Sequence, residues 1–278
     1  MNDAVRRARA SFTAFAARPS EAIPLAETAL LIAAEEYPDL DIGAYLARVD
    51  ALADDIREEA DNTRDAAAAS AVLATFLHER ELFRGNDVDY YDPRNSFLNE
   101  VLDRRRGIPI TLSILYMEVA RRLGLAVEGV GLPGHFLIRV VEARSYVDPF
   151  VGRANLSEAD CMERVQQIHG RDLPFDRAML APQSTRQVLT RVLTNLFAIY
   201  RARDDSVRAR SALDRMLLLN PDDVGLHRQR ALLLAGAGEY RAALRDIEKA
   251  RGRPPKARQG HRFQAWRRFV RDMASRMN

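Results

Sequence analysis

A change of hydrophobic period at Gly124 constrains this fold more than any other feature of the sequence. Residues 109–123 begin with Pro109, which suits the first turn of a helix, and they carry a strongly apolar helical face. Beyond Gly124 come three short segments with the residue types of strands, at residues 126–130, 135–142 and 145–147. Strands joined by such short turns run antiparallel, so the sequence predicts an α+β core in which one buried helix packs on an antiparallel sheet.

Helical periodicity dominates the rest of the chain. Four amphipathic or alanine-rich stretches precede the core helix, at residues 3–17, 24–37, 42–59 and 64–83. Four more follow the strands, at residues 186–202, 206–219, 223–236 and 239–251. The predicted fold class is therefore α+β and mainly helical.

The C-terminal helices show signs of an internal repeat. A step of 34 residues places Ala209 opposite Ala243, and this is the period of tetratricopeptide repeats. Residues 186–255 are therefore predicted to form two antiparallel helix pairs. We expect a division into residues 1–180 and residues 181–278. Two repeats are few for an independent solenoid, so the second part should depend on the rest of the chain for stability.

Composition excludes several classes of site. The single cysteine, Cys161, rules out an internal disulfide and a cysteine-based zinc cluster. The five histidines lack the paired spacing of metal ligands, so we expect neither a metal site nor a cofactor. The sequence contains no apolar run as long as a membrane span and no apolar core of a secretory signal. These features favour a cytoplasmic protein without a membrane partner.

Charge is distributed unevenly behind the small net value of +3. Residues 1–160 carry 18 arginines against 27 acidic residues, whereas residues 161–278 carry the remaining 24 basic residues against 12 acidic ones. The basic half favours either a nucleic-acid partner or simply solvated helix faces. The second interpretation is preferred, because the basic residues are not interleaved with the stacking aromatics that single-strand binding needs.

Three features occur in an order that is typical of one kind of catalysis. A core helix begins at Pro109, a β-rich segment begins at His135, and a later strand leads to Asp148. In papain-type and transglutaminase-type enzymes a cysteine at a helix N-terminus is activated by a histidine, which an acidic or amide side chain orients. The helix N-terminus lowers the pKa of such a thiol, because its free N–H groups favour an anion.

The segment YYDPRNSFLNEVLDRRRGIPITLSILYMEVARRLGLAVEGVGLPGHFLIRV, followed by SYVDPF, resembles the transglutaminase-like domain of bacterial SirB-type proteins. The resemblance extends over roughly residues 25–255. It implies a papain-like core of helix and antiparallel sheet, followed by tetratricopeptide-like helices. Carried over by residue, it gives the histidine role to His135 and the aspartate role to Asp148. The cysteine position at the helix start reads Pro109-Ile110-Thr111, so the nucleophile of the active enzymes is missing.

Other polar residues near this constellation have structural as well as functional interpretations. Thr111 is either a substitute nucleophile or a cap of the core helix. Asn95 and Asn99 are four residues apart, which predicts one helix face that either binds a ligand in the cleft or fixes a loop. Cys161 follows Asp148 in the chain, out of order for a nucleophile, and is interpreted as a small core residue.

Three functions follow from these interpretations. The preferred hypothesis is a degenerate, non-catalytic transglutaminase-like protein that binds a protein or peptide in a regulatory role. The second is a hydrolase or acyltransferase that uses His135 and Asp148 with a water molecule or Thr111. The third is a regulator that touches nucleic acid through its basic C-terminal half.

Overall fold

The N-terminal third is built from short-linked helices. The computed structural model describes residues 3–170, 173–250, 268 and 270–272. Its first helices are α1 (Asp3–Ala16), α2 (Leu25–Ala33), α3 (Ile42–Asp61) and α4 (Ala66–Thr75), which continues into a π-helical turn, Phe76–Arg80. Aspartates start two of them, since Asp41 accepts the N–H of Ala44 and Asp65 accepts the N–H of Ala68.

The core helix lies where the sequence predicts it. Helix α5 (Leu98–Arg104) precedes it, and α6 (Pro109–Arg122) begins at the proline. All residues of α6 from Pro109 to Ala120 are buried, because helices pack on one side and strands on the other. The hydroxyl of Tyr116 donates to the backbone oxygen of Ser70 at 2.8 Å, which ties α6 to α4 and satisfies a buried polar group.

A five-stranded antiparallel sheet covers α6. Its members are β3 (Val127–Val130), β4 (Leu137–Val140), β5 (Ser145–Asp148), β6 (Arg153–Leu156) and β7 (Pro182–Gln183), in the spatial order β6-β5-β4-β3-β7. Helix α7 (Glu158–His169) packs beside β5 and β6. A separate parallel pair joins β1 (Arg84–Gly85) to β2 (Arg106–Gly107) just before α6. The predicted fold class of helix plus antiparallel sheet is confirmed.

The described chain separates into two compact units, Met1–Val192 and Leu193–Asn278. Helix α8 (Thr185–Ala202) contains the boundary, and the second unit continues through α9 (Ser206–Leu219), α10 (Val224–Gly236) and α11 (Tyr240–Lys249). These bounds match the four helices expected from periodicity. Residues 251–255, which end the predicted second repeat, lie outside the described residues.

Small residues make the close helix contacts of the second unit. Ala209 and Ala243, one repeat period apart, are both fully buried. Ala243 belongs to an apolar cluster with Ala231, Leu234, Ile247 and Val270. Among the described residues, every helix is too short or too polar to cross a bilayer.

Candidate active site

The site is centred on a buried pair of side chains, His135 and Asp148. Nε2 of His135 lies 2.8 Å from Oδ2 of Asp148, and the two side chains are 6% and 1% exposed. His135 is in the loop two residues before β4, and Asp148 is the last residue of β5. Because β4 and β5 are antiparallel neighbours, the beginning of one and the end of the other meet at the same edge of the sheet.

The preceding turn helps to place the histidine. His135 was expected at the start of a strand, whereas the strand begins two residues later at Leu137. Gly134 has φ +68°, a conformation that a glycine adopts without steric cost. An added Cβ at Gly134 would also lie 2.9 Å from the side chain of Ile168.

Asp148 is fixed by donors from three directions. Its Oδ1 accepts the backbone N–H of Phe150 at 3.1 Å, and its Oδ2 accepts Nη2 of Arg164 at 3.1 Å as well as the bond from His135. A carboxylate can only accept, so Nε2 of His135 carries the hydrogen. The other ring nitrogen, Nδ1, has no hydrogen-bond partner among the described residues. In the neutral ring Nδ1 is therefore an acceptor for a ligand or a proton.

The start of α6 is occupied by a capping arrangement. The hydroxyl of Thr111 donates to the backbone oxygen of Asn95 at 2.7 Å and accepts the N–H of Ile108 at 3.2 Å. Thr111 is 1% exposed. Its hydroxyl therefore closes the first turn of the helix and ties it to the preceding segment, which favours the cap over the substitute nucleophile.

Strand β1 connects this helix start to the His–Asp pair. The N–H of Asn86 donates to the backbone oxygen of Gly107 at 2.9 Å, and the N–H of Gly85 donates to the backbone oxygen of Phe150 at 3.1 Å. The ring of Phe150 in turn lies edge-on to His135, with 6.0 Å between the ring centroids. Short contacts thus run from the N-terminal end of α6 to the histidine.

The expectation of one helix face for Asn95 and Asn99 is wrong. Asn95 belongs to a 3-10 turn, Pro93–Ser96, whereas Asn99 belongs to α5. Phe97 lies between them with φ −100° and ψ 123°, an extended conformation that interrupts the helix.

The two asparagines also differ in their contacts. The side chain of Asn95 donates to the backbone oxygen of Asp89 at 2.7 Å and accepts from Nδ2 of Asn86 at 3.0 Å, so it fixes a loop. Oδ1 of Asn99 is buried and has no hydrogen-bond partner among the described residues.

The single thiol of the chain, that of Cys161, lies in surroundings that make it unreactive. Cys161 is fully buried on α7, in an apolar cluster that includes Leu137, Val165 and Leu180. Burial, reinforced by the negative charges of neighbouring acidic residues, raises the pKa of Cys161 to about 12. A thiol in such surroundings stays protonated at neutral pH and is a poor nucleophile.

Sequence reasoning missed two residues that shape the site. Arg164 reaches Asp148 from α7, a helix that was not predicted although Ser157 and Asp160 form a capping box at its start. Phe150 packs on Gly85, where an added Cβ would come within 2.5 Å of the ring. Only the three-dimensional arrangement reveals the second contact. Within the described part of the chain, no three His, Cys, Asp or Glu side chains group as a metal site would require.

Comparisons with known proteins agree with this geometry. A family model described as the transglutaminase-like superfamily matches residues 43–194, and a tetratricopeptide repeat model matches residues 196–265. The first match contains both members of the His–Asp pair. The second contains the helices α9 to α11. No solved structure matches the chain.

Relatives are found in bacteria and in mammals. A UPF0162 protein of Xylella fastidiosa is 39% identical over 234 residues, which cover 82% of this chain and 83% of that protein. A UPF0162 protein of Pseudomonas aeruginosa is 32% identical over 226 residues, 81% of this chain and 83% of that protein. F-box only protein 21 of Mus musculus is 32% identical over 163 residues, which cover 54% of this chain but 25% of that protein.

Proposed function

The chain belongs to the transglutaminase-like superfamily, together with the UPF0162 proteins, and we propose that it is a protein-binding module that has the fold of this superfamily without its thiol chemistry. The assignment to the narrower SirB type stays a prediction. So does the regulatory role, which rests on the combination of a degenerate site with tetratricopeptide-type helices.

The missing nucleophile is the observation that carries this proposal. Thiol acyl transfer needs a thiolate beside the histidine. The start of α6 reads Pro109-Ile110-Thr111 where the resemblance puts the cysteine, and the hydroxyl of Thr111 is engaged in three backbone hydrogen bonds. Cys161 is buried among apolar side chains with a raised pKa.

Two features support binding as the remaining function. The match of residues 196–265 to tetratricopeptide repeats suggests protein–protein interaction, because such repeats present extended grooves to partners. At the His–Asp pair, Nδ1 of His135 has no partner among the described residues and is available to accept a hydrogen bond.

One observation favours a second function, hydrolysis by an activated water molecule. The pair has the geometry of a general base, since Asp148 holds the ring of His135 at 2.8 Å and leaves Nδ1 without a described partner. A base of this kind abstracts a proton from water without any protein nucleophile.

The experiment that separates the two functions combines turnover with binding. The full chain is incubated with a glutamine peptide and an amine, and with an activated ester, while ammonia release, amine incorporation and ester cleavage are followed. We expect no turnover above that of His135→Ala. A synthetic peptide array probed with the same protein should give a defined subset of ligands. Turnover that disappears in His135→Ala supports the hydrolase, and an array without any ligand contradicts the binding function.

A further inference from the structure

A row of four aromatic rings leads from the protein surface to the His–Asp pair. Its members are Tyr91, Tyr90, Phe150 and His135, with 5.4, 6.4 and 6.0 Å between successive ring centroids. Successive rings meet edge to face, the arrangement that aromatic pairs prefer. Exposure falls along this aromatic row, from 71% at Tyr91 and 36% at Tyr90 to 6% at His135. The row thus begins at an exposed ring and ends at a ring nitrogen that has no hydrogen-bond partner among the described residues.

The loop before the tyrosines is stabilised by hydrogen bonds of two asparagine side chains, Asn86 and Asn95. Oδ1 of Asn86 accepts the N–H of Asp89 at 3.2 Å, and the side chains of Asn86 and Asn95 are hydrogen-bonded to each other at 3.0 Å. Asn95 also donates to the backbone oxygen of Asp89 at 2.7 Å. These bonds restrain residues 86–90, so the ring of Tyr90 is positioned before any ligand arrives.

Exposed apolar side chains are concentrated around this row. The described residues include nine large hydrophobic side chains with substantial exposure, and five of them lie within residues 82–91 and 150–151. Val88 is 95% exposed and Val151 36% exposed. Residues 85 and 150 are joined by a backbone hydrogen bond, so the two segments are neighbours in space. Apolar side chains gathered in this way on a surface typically mark an interaction site.

The loop adds negative charge to the apolar surface. Asp87 and Asp89 are exposed on either side of Val88, and neither forms an ion pair within the described residues. Asp92, by contrast, is neutralised by Arg94 and Arg104. The arginines of the adjacent strand pair, Arg84 and Arg106, donate to backbone carbonyl oxygens. The tyrosines therefore follow closely in the chain on two carboxylates that have no cationic partner within the part that the structure describes.

We propose that the aromatic row is the docking surface for an extended segment of a partner protein that carries an arginine or a lysine next to apolar residues. The cation would stack on the faces of Tyr90 and Tyr91 within reach of Asp87 and Asp89, since cations bind aromatic faces and carboxylates alike. The apolar neighbours would cover Val88 and Val151. A donor of the same segment would reach Nδ1 of His135. The inference rests on the proposed function and specifies the chemistry of its ligand.

The test compares short acetylated peptides that differ only in one central residue pair. These two central residues are arginine and lysine, two glutamines or two glutamates, and they lie between the same apolar residues in every peptide. Binding of each peptide to the full chain is measured by fluorescence polarisation. We expect the cationic peptide to bind about tenfold more tightly than the neutral one. The double variant Asp87→Asn/Asp89→Asn should lose this preference, and Tyr91→Ala should weaken binding. The matched control is Asp54→Asn/Asp55→Asn on the exposed side of α3, which removes the same charge and should leave the preference intact.

Each contrary result has its own meaning. Equal binding of the three peptides would overturn the cationic ligand but leave the peptide-binding function in place. Binding of none of them, together with an array without ligands, would overturn both. Tighter binding of the glutamate peptide would assign recognition to Arg84 and Arg106 instead of the aspartates. Self-association that Tyr91→Ala abolishes, measured by sedimentation, would make a second copy of the chain the occupant and would also contradict the proposal.

Discussion

At the scale of single residues, side chains that look chemically active in the sequence are used for structure. Thr111 belongs to the segment Pro109-Ile110-Thr111, where the resemblance places the cysteine, yet its hydroxyl holds the first turn of α6 against Asn95. The same hydrogen bond keeps the loop that carries Tyr90 next to the helix, because Asn95 also bonds to the backbone of Asp89. The hydrogen bonds of Thr111 and Asn95 therefore help to position the loop that carries the aromatic row.

Replacing the hydroxyl should reveal this structural role. Thr111→Val keeps the shape of the side chain but leaves the N–H of Ile108 and the backbone oxygen of Asn95 without a partner in a buried place. We expect a loss of about 1–3 kcal/mol in the free energy of unfolding, measured by urea titration. Thr111→Ser, which keeps the hydroxyl, is the control and should lose less. A Thr111→Val protein as stable as the wild type would show that the hydroxyl is not structural.

The thiol gives a second prediction at this scale. Because the pKa of Cys161 is raised to about 12, iodoacetamide should leave the folded protein unmodified near neutral pH and modify it readily in urea. The folded thiol holds its proton more tightly than the unfolded one. Its contribution to stability is therefore complete below pH about 8.5 and declines as the pH rises further. Rapid alkylation of the folded chain, or activity lost in Cys161→Ala, would favour a thiol enzyme instead.

At the scale of secondary-structure elements, one partly buried charge network joins three helices of the second unit. Asp246 on α11 accepts two bonds from Arg230 on α10, and Arg230 also reaches Asp214 on α9 at 2.8 Å. His227 contacts Oδ1 of Asp246 through Nδ1 and the backbone oxygen of Pro221 through Nε2. Both ring nitrogens therefore face oxygen atoms. The carboxylate of Asp246 is held both by Arg230 and by the imidazole of His227.

Removing that carboxylate should loosen the second unit. Burial alone would raise the pKa of Asp246, but the hydrogen bonds from Arg230 and His227 outweigh it, and the pKa is lowered. The ionised carboxylate of Asp246 stabilises the folded state at pH values above its unfolded pKa of about 3.9. This contribution is lost as the pH falls toward the lower pKa of the folded state. Asp246→Asn should therefore cost about 3 kcal/mol near neutral pH and progressively less in acid, measured by urea unfolding. The exposed Asp222→Asn is the control. Equal effects of the two substitutions would contradict this account.

How far the sequence predicts the fold depends on how local the cause is. The bounds of α6 and of the four C-terminal helices follow from apolar period and terminal residues, which act within a few turns. Strand β7 consists of Pro182 and Gln183 and exists only because β3 offers an edge for pairing. The aromatic row joins residues about sixty positions apart in the chain, and that proximity arises from the close packing of Phe150 on Gly85. The His–Asp contact was predictable because two neighbouring antiparallel strands place it.

At the scale of the whole molecule, the repeat count sets an expectation for the C-terminal helices. Two tetratricopeptide-type pairs cannot form the continuous stacked core that makes longer arrays stable. We expect residues 180–278 alone to be unstable or to aggregate, whereas the full chain should melt cooperatively, as followed by circular dichroism. A fragment that melts as a folded monomer at the temperature of the full chain would make these helices an independent module.

We infer that this chain has the His135–Asp148 pair without the cysteine nucleophile that the resemblance implies for active enzymes. Intact-mass spectrometry after incubation with an electrophilic glutamine analogue tests it most directly. The wild-type chain should remain unmodified, whereas Pro109→Cys should gain one adduct that the additional substitution His135→Ala removes. This adduct on the Pro109→Cys variant is the positive control and would show that the His–Asp pair activates a thiol at the start of α6. An adduct on the wild-type chain that disappears in His135→Ala would contradict the claim and make the protein an enzyme.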